Sequence, residues 1–141
     1  MLKLIRKRVS VVIVNDGKIL GFYAEDPFSK RKYFFLPGGV LEKNESDEQA
    51  AIRETLEETG YKITLNDKKV VKTYDFEWNG NIYECETRFF LGKLVSTEQN
   101  FVKDADYHRG TSWIPLNQIR NVLGYSTEIL SATSELVGAQ A

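Results

Sequence analysis

A short stretch near the middle of the chain carries both end signals of a helix, and this limits what the chain can fold into. Ser46 followed by Gln49 resembles a capping box, in which each side chain bonds to the other residue's backbone N–H. Gly60 suits the left-handed position just beyond a helix end. The sequence therefore predicts a helix over about residues 47 to 59.

The predicted helix has two different sides. At about 100° per residue, Glu54, Glu57 and Glu58 fall within an arc of about 100°. The residues expected to pack against a sheet lie on the opposite side and are Ile52, Thr55, Leu56 and Thr59. On this interpretation the helix has one buried side and one acidic side.

The three glutamates are unfavourable for the helix itself. Carboxylates at i,i+3 and i,i+4 spacing repel by a few tenths of a kcal/mol per pair, and the helix dipole near its C-terminal end is already negative. Charged helical residues are most often simply solvated. The alternative is a bound cation, because clustered carboxylate oxygens suit Mg²⁺ or Mn²⁺.

The residues around the helix match a known spacing. From Gly39, five residues precede Glu45, seven more follow, and then comes Arg53-Glu54-Thr55-Leu56-Glu57-Glu58-Thr59-Gly60-Tyr61. This segment, Gly39 to Tyr61, resembles the Nudix box, Gly-x5-Glu-x7-Arg-Glu-U-x-Glu-Glu-x-Gly-U, where U is bulky and apolar. All seven fixed positions match, a coincidence with a probability on the order of one in a million. The departures are Thr55 and Tyr61, both at U positions.

The resemblance implies an α/β fold, the Nudix-type α/β/α sandwich with a mixed β-sheet. Leu36-Pro37-Gly38-Gly39 is similar to the family's strand-to-loop entry, and Trp113-Ile114-Pro115-Leu116 to its late segment. The predicted order of strands, helix, strands and helices agrees with such a sandwich. With 141 residues and no linker, the chain is expected to form one domain over residues 1–141.

Turn residues and apolar runs place the other elements. Asn15-Asp16-Gly17 and Asn79-Gly80-Asn81 predict two hairpins, which join residues 8–14 to 18–23 and 70–78 to 82–94. Pro37-Gly38-Gly39 is expected to open a loop. Further strands and helices are expected over residues 33–36, 62–65, 113–114, 116–122 and 126–137. Residues 95–109 are polar and are expected to be irregular.

What the resemblance implies is hydrolysis of a phosphoanhydride bond in a nucleoside diphosphate linked to another moiety, with Mg²⁺ as the cofactor and Mn²⁺ as a substitute. The metal ligands implied are the backbone of Gly38 and the side chains of Glu54, Glu57 and Glu58. The catalytic set implied is Glu45, Arg53, Glu54 and Glu57. Within it Arg53 pairs with Glu45 to orient the ligands, or else forms only a surface pair with Glu57.

The general base is left open between a box glutamate and an acid from the polar loop. That loop contains Asp104, Asp106 and His108, each of which could equally be solvated.

Possible substrate contacts come from a basic run and the aromatic strand after it. Lys30, Arg31 and Lys32 could meet phosphate oxygens, and Tyr33 or Phe35 could stack on a base. They could instead be a solvated loop and a packed strand, and the segment from Arg6 to Arg8 has the same two interpretations.

Composition narrows the partners. The 19 basic and 20 acidic residues leave a net charge of −1, so we expect no DNA binding, and no segment has the length of a membrane helix. The lone Cys85 allows no internal disulfide, which fits a cytoplasmic protein. The chain is expected to be a monomer or a homodimer.

Three functions remain possible at this point. The first is a pyrophosphohydrolase acting on a small nucleotide, either a (d)NTP or a nucleotide sugar. In family members that act on dinucleoside polyphosphates or RNA caps, a lysine often stands between the residues that correspond to Pro37 and Gly38. Family members that act on ADP-ribose often have an extra N-terminal subdomain. Neither feature is present in this sequence, so these substrates are not expected. The second is a non-catalytic nucleotide-binding module, and the third is a prenyl-diphosphate isomerase, for which Cys85 has no evident partner.

Overall fold

The computed structural model describes the backbone of residues 3–100 and 108–139 and the side chains of residues 3–100 and 110–139. The strands are β1 (Lys3–Asn15), β2 (Lys18–Glu25), β3 (Lys32–Phe35), β4 (Gly38–Val40), β5 (Ile63–Trp78), β6 (Asn81–Leu94) and β7 (His108–Pro115). The helices are α1 (Asp47–Thr59), α2 (Ile119–Leu123) and α3 (Thr127–Gly138), with a 3₁₀ turn at Leu116–Gln118. No helix in these ranges is long and apolar enough to cross a membrane.

The sheet is mixed, and β1 lies at its centre. β1 runs parallel to β6, from the pair of Lys3 and Ile82 to the pair of Ile13 and Gly92. β5 is antiparallel to β6, and β4 is antiparallel to β1. β2 follows β1 through a hairpin and pairs with β3 and β7.

Helices cover both sides of this sheet. α1 packs against β1, β4 and β5, and α3 packs against β1, β5 and β6. Alternate residues of β1 serve the two sides, because successive strand side chains point in opposite directions. Val11 and Ile13 belong to the core beside Ala51 of α1, whereas Val12 belongs to the core beside Leu136 of α3. The predicted α/β/α sandwich is thus confirmed.

Both predicted hairpins are present. Asp16 and Gly17 have φ values of 53° and 72°, and Asn79 and Gly80 have 51° and 80°. Two successive left-handed residues form the turn whose twist matches that of paired strands.

Three expectations about strands were wrong. Gly38 and Gly39 do not open a loop; they begin β4, where they pair with Ser10 and Val9. A side chain at Gly38 would overlap the Val9 carbonyl oxygen, so this close pairing needs glycine. The two strands expected within residues 62–78 are one strand with an irregular register, and the last strand has eight residues instead of two.

Helix α1 has the predicted bounds and caps. The Ser46 hydroxyl accepts from the Gln49 N–H at 3.1 Å, the Gln49 side chain accepts from the Ser46 N–H at 2.9 Å, and Gly60 has a φ of 77°. Local residues were therefore enough to predict where this helix begins and ends.

The predicted packing side of α1 was wrong in part. Ile52 is 40% exposed, whereas the buried residues are Ala50, Ala51, Thr55 and Thr59. The two threonine hydroxyls donate to the carbonyls of Ala51 and Thr55 at 2.8 and 2.6 Å, so their burial leaves no hydroxyl unbonded. Because these small residues let the helix approach the sheet closely, the helix is rotated so that part of its acidic side faces the strands.

Candidate active site

Two glutamates of α1 reach the glycines of β4. Glu58 Oε1 accepts a hydrogen bond from the Gly38 N–H at 2.7 Å. The Glu54 carboxyl lies over Gly39, where an added Cβ would be 2.5 Å from its Cδ. Residues about 20 positions apart in the chain thus form one acidic end of a pocket.

Burial beside a second acid makes the charged form of these carboxyls costly. Burial and then the nearby charge of Glu54 raise the pKa of Glu58 to about 8, although the Gly38 N–H opposes the shift. Burial also raises the pKa of Glu54, against the effect of Arg53. A cation at this end of the pocket would remove the cost.

Arg53 connects the acids around the pocket. Its Nε atom lies 2.6 Å from Glu45 Oε2, and its Nη1 atom lies 2.7 Å from Glu54 Oε1 and 3.3 Å from Glu57 Oε2. The hydrogen bond to Arg53 lowers the pKa of Glu45 to about 2. Both predicted pairings of Arg53 are therefore present, and the one with Glu45 is the shorter.

Glu57 has a different position from the other two glutamates. Its side chain is 58% exposed, contacts Arg53 and does not line the pocket. Within the described part of the chain, no three acidic, histidine or cysteine side chains stand close enough to form a metal site. The structure thus brings together Glu54, Glu58 and Gly38 of the predicted ligand set and leaves Glu57 beside them.

The pocket has a volume of about 340 Å³ and three chemically distinct parts. Glu54, Glu58, Gly38 and Gly39 form the acidic end. Two arginines and three polar residues of β1, β5 and β6 form the middle, namely Arg6, Arg8, Ser10, Tyr74 and Cys85. Aromatic residues form the far wall, namely Phe22, Phe35, Phe76, Trp78, Tyr83 and Tyr125.

The aromatic wall is a packed cluster that joins distant segments. The ring of Phe35 lies 5.8 Å from Phe76 and 5.5 Å from Trp78, centroid to centroid. The Tyr125 hydroxyl donates to the Phe34 carbonyl oxygen at 2.9 Å, which attaches the loop before α3 to β3. Such rings offer flat apolar surface on which a nucleobase can stack.

The predicted substrate residues have mixed positions. Phe35 lines the pocket, and Tyr33 lies behind it at 5.6 Å, in the aromatic cluster. Lys30 and Arg31 precede β3 and Lys32 begins it; all three are exposed, and none lines the pocket. Asp104 and Asp106 lie outside the described residues; His108 begins β7, and its side chain also lies outside them.

The sequence contained a signal for the pocket residues that were not predicted. Tyr74, Phe76 and Trp78 alternate along β5, as Tyr83 and Cys85 do along β6. A period of two places such residues on one side of a sheet. The period could not show which side faced the pocket, because that depends on where α1 and α3 pack.

The geometry suits a divalent cation at the acidic end. Carboxylate oxygens of Glu54 and Glu58 lie beside the backbone of Gly38 and Gly39, and a buried, raised-pKa carboxyl next to another acid is neutralised well by a hard cation. The residues therefore fit a hard divalent cation.

The fold and the site define a class: an α/β/α domain in which a glutamate-rich helix faces the glycines of a central sheet at one end of a pocket. Comparison with known families agrees, because the NUDIX domain model matches residues 4–131. The chain belongs to the Nudix family.

Individual relatives agree with this family assignment. A Bacillus subtilis (strain 168) protein named "Putative 8-oxo-dGTP diphosphatase" is 33% identical over 79 residues, which are 56% of this chain and 48% of that protein. The match thus spans about half the length of this curated relative. A Nudix hydrolase from Nitrosomonas europaea is 29% identical with a TM-score of 0.68, over 95% of this chain and 88% of that one. A MutT protein from Methanosarcina mazei Go1, 22% identical with a TM-score of 0.70 over 99% and 97%, shares the fold.

Proposed function

We propose that this protein is a Mg²⁺-dependent pyrophosphohydrolase that cleaves a phosphoanhydride bond in a small nucleotide, either a (d)NTP or a nucleotide sugar. The observation that carries the proposal is the convergence of Glu54 and Glu58 on Gly38 and Gly39 at one end of a pocket with an aromatic far wall. The volume of about 340 Å³ is in the range of small-molecule sites. The relative from Bacillus subtilis, named for a nucleotide diphosphatase, supports the same class of substrate.

Glu54, Glu58 and the backbone of Gly38 would hold the cation, with Glu57 as a further ligand or the general base. When bound, Mg²⁺ supplies charge neutralisation at the diphosphate and a more acidic water. Arg53 is a positioning residue, because it holds Glu54 while Glu45 holds Arg53. Glu57 lies at the solvent side of Arg53, with 58% of its side chain exposed.

The aromatic wall would receive the base, and the acidic end would receive the diphosphate. This direction follows from charge, since among the described residues the carboxylates stand at the acidic end and most of the aromatic rings stand at the far wall. Catalysis would then depend mainly on stabilising charge on the phosphate oxygens. One domain over residues 1–141 and a cytoplasmic location are part of the same proposal.

A panel of NTPs, dNTPs and nucleotide sugars, assayed for phosphate-containing products with and without Mg²⁺, tests this function. Glu54→Gln, Glu57→Gln and Glu58→Gln should each lower kcat by roughly a hundredfold or more on the best substrate. Glu48→Gln is the matched control, because Glu48 is exposed on the same helix and outside the pocket. Full activity in all three variants would reject the proposal.

The two other functions give different results in the same panel. Nucleotide binding without turnover in Mg²⁺ and Mn²⁺ would indicate a binding module. An isomerase would need a reactive thiol, whereas Cys85 is 4% exposed and burial raises its pKa. No turnover of isopentenyl diphosphate is therefore expected.

A further inference from the structure

The middle of the pocket carries two arginines that the acidic end does not use. We infer that Arg6 and Arg8 form a phosphate-binding pair that holds the phosphate chain of the nucleotide without any divalent cation. The inference rests on the proposed function for the identity of the natural ligand, but anion binding itself can be measured separately. The ligand class is a chain of two or more phosphates.

The positions of the two arginines follow from the register of β1. Arg6, Arg8 and Ser10 are alternate residues of one strand, and all three line the pocket. Ser10 pairs with Gly38 at the acidic end, so Arg8 is about 7 Å and Arg6 about 14 Å further along the strand. The two guanidinium groups therefore extend from the cation end toward the aromatic wall.

Neither arginine has a carboxylate partner among the described residues. By contrast, Arg53 contacts Glu45, and Arg88 lies 3.1 Å from Asp47. Arg8 lies near the Tyr74 hydroxyl, and its positive charge acts on the Glu54 and Glu58 carboxyls at the acidic end of the pocket. Two arginines in one pocket, neither of them in a direct ion pair with a described carboxylate, favour an anionic ligand.

Arg6 is held in a defined orientation. Its guanidinium carbon lies 4.0 Å from the centroid of the Tyr83 ring. Stacking on a ring leaves the N–H groups at the edge of the guanidinium available, and these bind phosphate oxygens in pairs. Arg6 is therefore prepared to bind an anion with little loss of side-chain freedom.

The order of groups gives the ligand a direction. Tyr83 pairs with Phe76, and Asn81 pairs with Trp78. The rings of Tyr83, Phe76 and Trp78 therefore lie beyond Arg6 as seen from the acidic end. A phosphate chain extending from the cation across Arg8 to Arg6 would bring the attached nucleoside to these rings. A ligand without phosphate would leave both arginines unused.

Calorimetric titration of the full chain in EDTA tests the pair. The probes are inorganic triphosphate and ATP, with adenosine as the ligand that lacks phosphate. Arg6→Gln and Arg8→Gln should each weaken triphosphate binding by roughly tenfold to a hundredfold, which is the range for a charge-assisted hydrogen bond. Arg8→Lys should lose less than Arg8→Gln, because it keeps the charge and loses only the paired geometry.

Lys7→Gln is the matched control. Lys7 lies between the two arginines on β1, carries the same charge and does not line the pocket. It should bind triphosphate within about twofold of the unaltered chain. Circular dichroism and thermal unfolding of each variant would show that the fold is retained, and the exposed Arg6 provides a variant that does not disturb the core.

Three results would overturn the inference: no triphosphate binding in EDTA, an equal loss in Lys7→Gln, or a loss in only one of the two arginine variants. Adenosine binding as tight as that of ATP would also overturn it. Binding is measured in EDTA, where no turnover occurs. If triphosphate binds in EDTA but no nucleotide is hydrolysed in Mg²⁺, only the proposed function is rejected. If the chain hydrolyses nucleotides in Mg²⁺ but Arg6→Gln and Arg8→Gln bind triphosphate as tightly as the unaltered chain, only the phosphate-binding pair is rejected.

Discussion

The hydrogen bond from the Gly38 N–H to Glu58 Oε1, 2.7 Å long, joins the end of α1 to the short strand β4. It places a carboxylate against the backbone of a glycine whose added Cβ would overlap β1. The same bond holds β4 in its pairing with β1 at Ser10. The acidic end of the pocket is therefore also a structural joint between helix and sheet.

Gly38→Ala should destabilise the fold. The added Cβ would overlap the Val9 carbonyl oxygen and lie 3.0 Å from Ser10 Cα, and both are backbone atoms that cannot move aside cheaply. The expected loss in the free energy of unfolding is roughly 2–4 kcal/mol, measured by urea denaturation. Gly138→Ala is the control, because nothing lies within 4 Å of its added Cβ, and it should change stability little.

Gly39→Ala should act on the site more than on the fold. The added Cβ would lie 2.6 Å from Glu54 Oε2, and the side chain of Glu54 can turn away at small cost. The displaced carboxylate should weaken Mn²⁺ binding by roughly tenfold or more, measured by electron paramagnetic resonance. Unchanged Mn²⁺ affinity in a folded variant would remove Glu54 from the ligand set.

Asp26→Ala should loosen the far side of the pocket. The Asp26 carboxylate accepts the N–H of Phe28 at 2.9 Å and that of Asn79 at 3.0 Å, which joins the β2–β3 loop to the β5–β6 hairpin next to Trp78. Leaving these groups without a partner should cost about 1–3 kcal/mol of unfolding free energy. Urea denaturation measures the loss, and the exposed Asp67→Ala should show none.

Acid should destabilise the protein partly through Glu45. Its hydrogen bond with Arg53 lowers its pKa from 4.5 to about 2, so the folded state holds this proton less tightly than the unfolded state. The stabilisation is present above pH 4.5 and is lost as the pH falls from about 4.5 to about 2. Glu45→Gln should therefore flatten the stability curve in that interval, whereas Glu48→Gln should leave its slope unchanged.

Much of the architecture could be predicted from local patterns. The capping box at Ser46 and the left-handed Gly60 gave the bounds of α1, and both Asn-containing turns gave hairpins. These features depend on residues within four positions of one another, so no tertiary information is needed. The Nudix box added the fold class and the family, and the comparisons confirm both.

The packing of α1 could not be predicted in this way. A helical wheel assigns sides by hydrophobicity, and it placed Ile52 inward and the glutamates outward. In the structure the helix rests on Ala50, Ala51, Thr55 and Thr59, because small side chains allow close approach to the strands. Which rotation costs least depends on the surface of the sheet, and that surface is made by distant segments.

The amino-acid sequence by itself determined where α1 lies, which acids it carries and which family the chain belongs to, because these depend on fixed spacing along one segment. Only the tertiary structure decided that Glu54 and Glu58 face the pocket while Glu57 contacts solvent. It also decided that Arg6 and Arg8, and not the basic run before β3, stand beside the site. The physical reason is that the pocket lies where α1, β1, β5, β6 and the loop before α3 meet. These elements are distant in the chain, so no local pattern predicts that they come together.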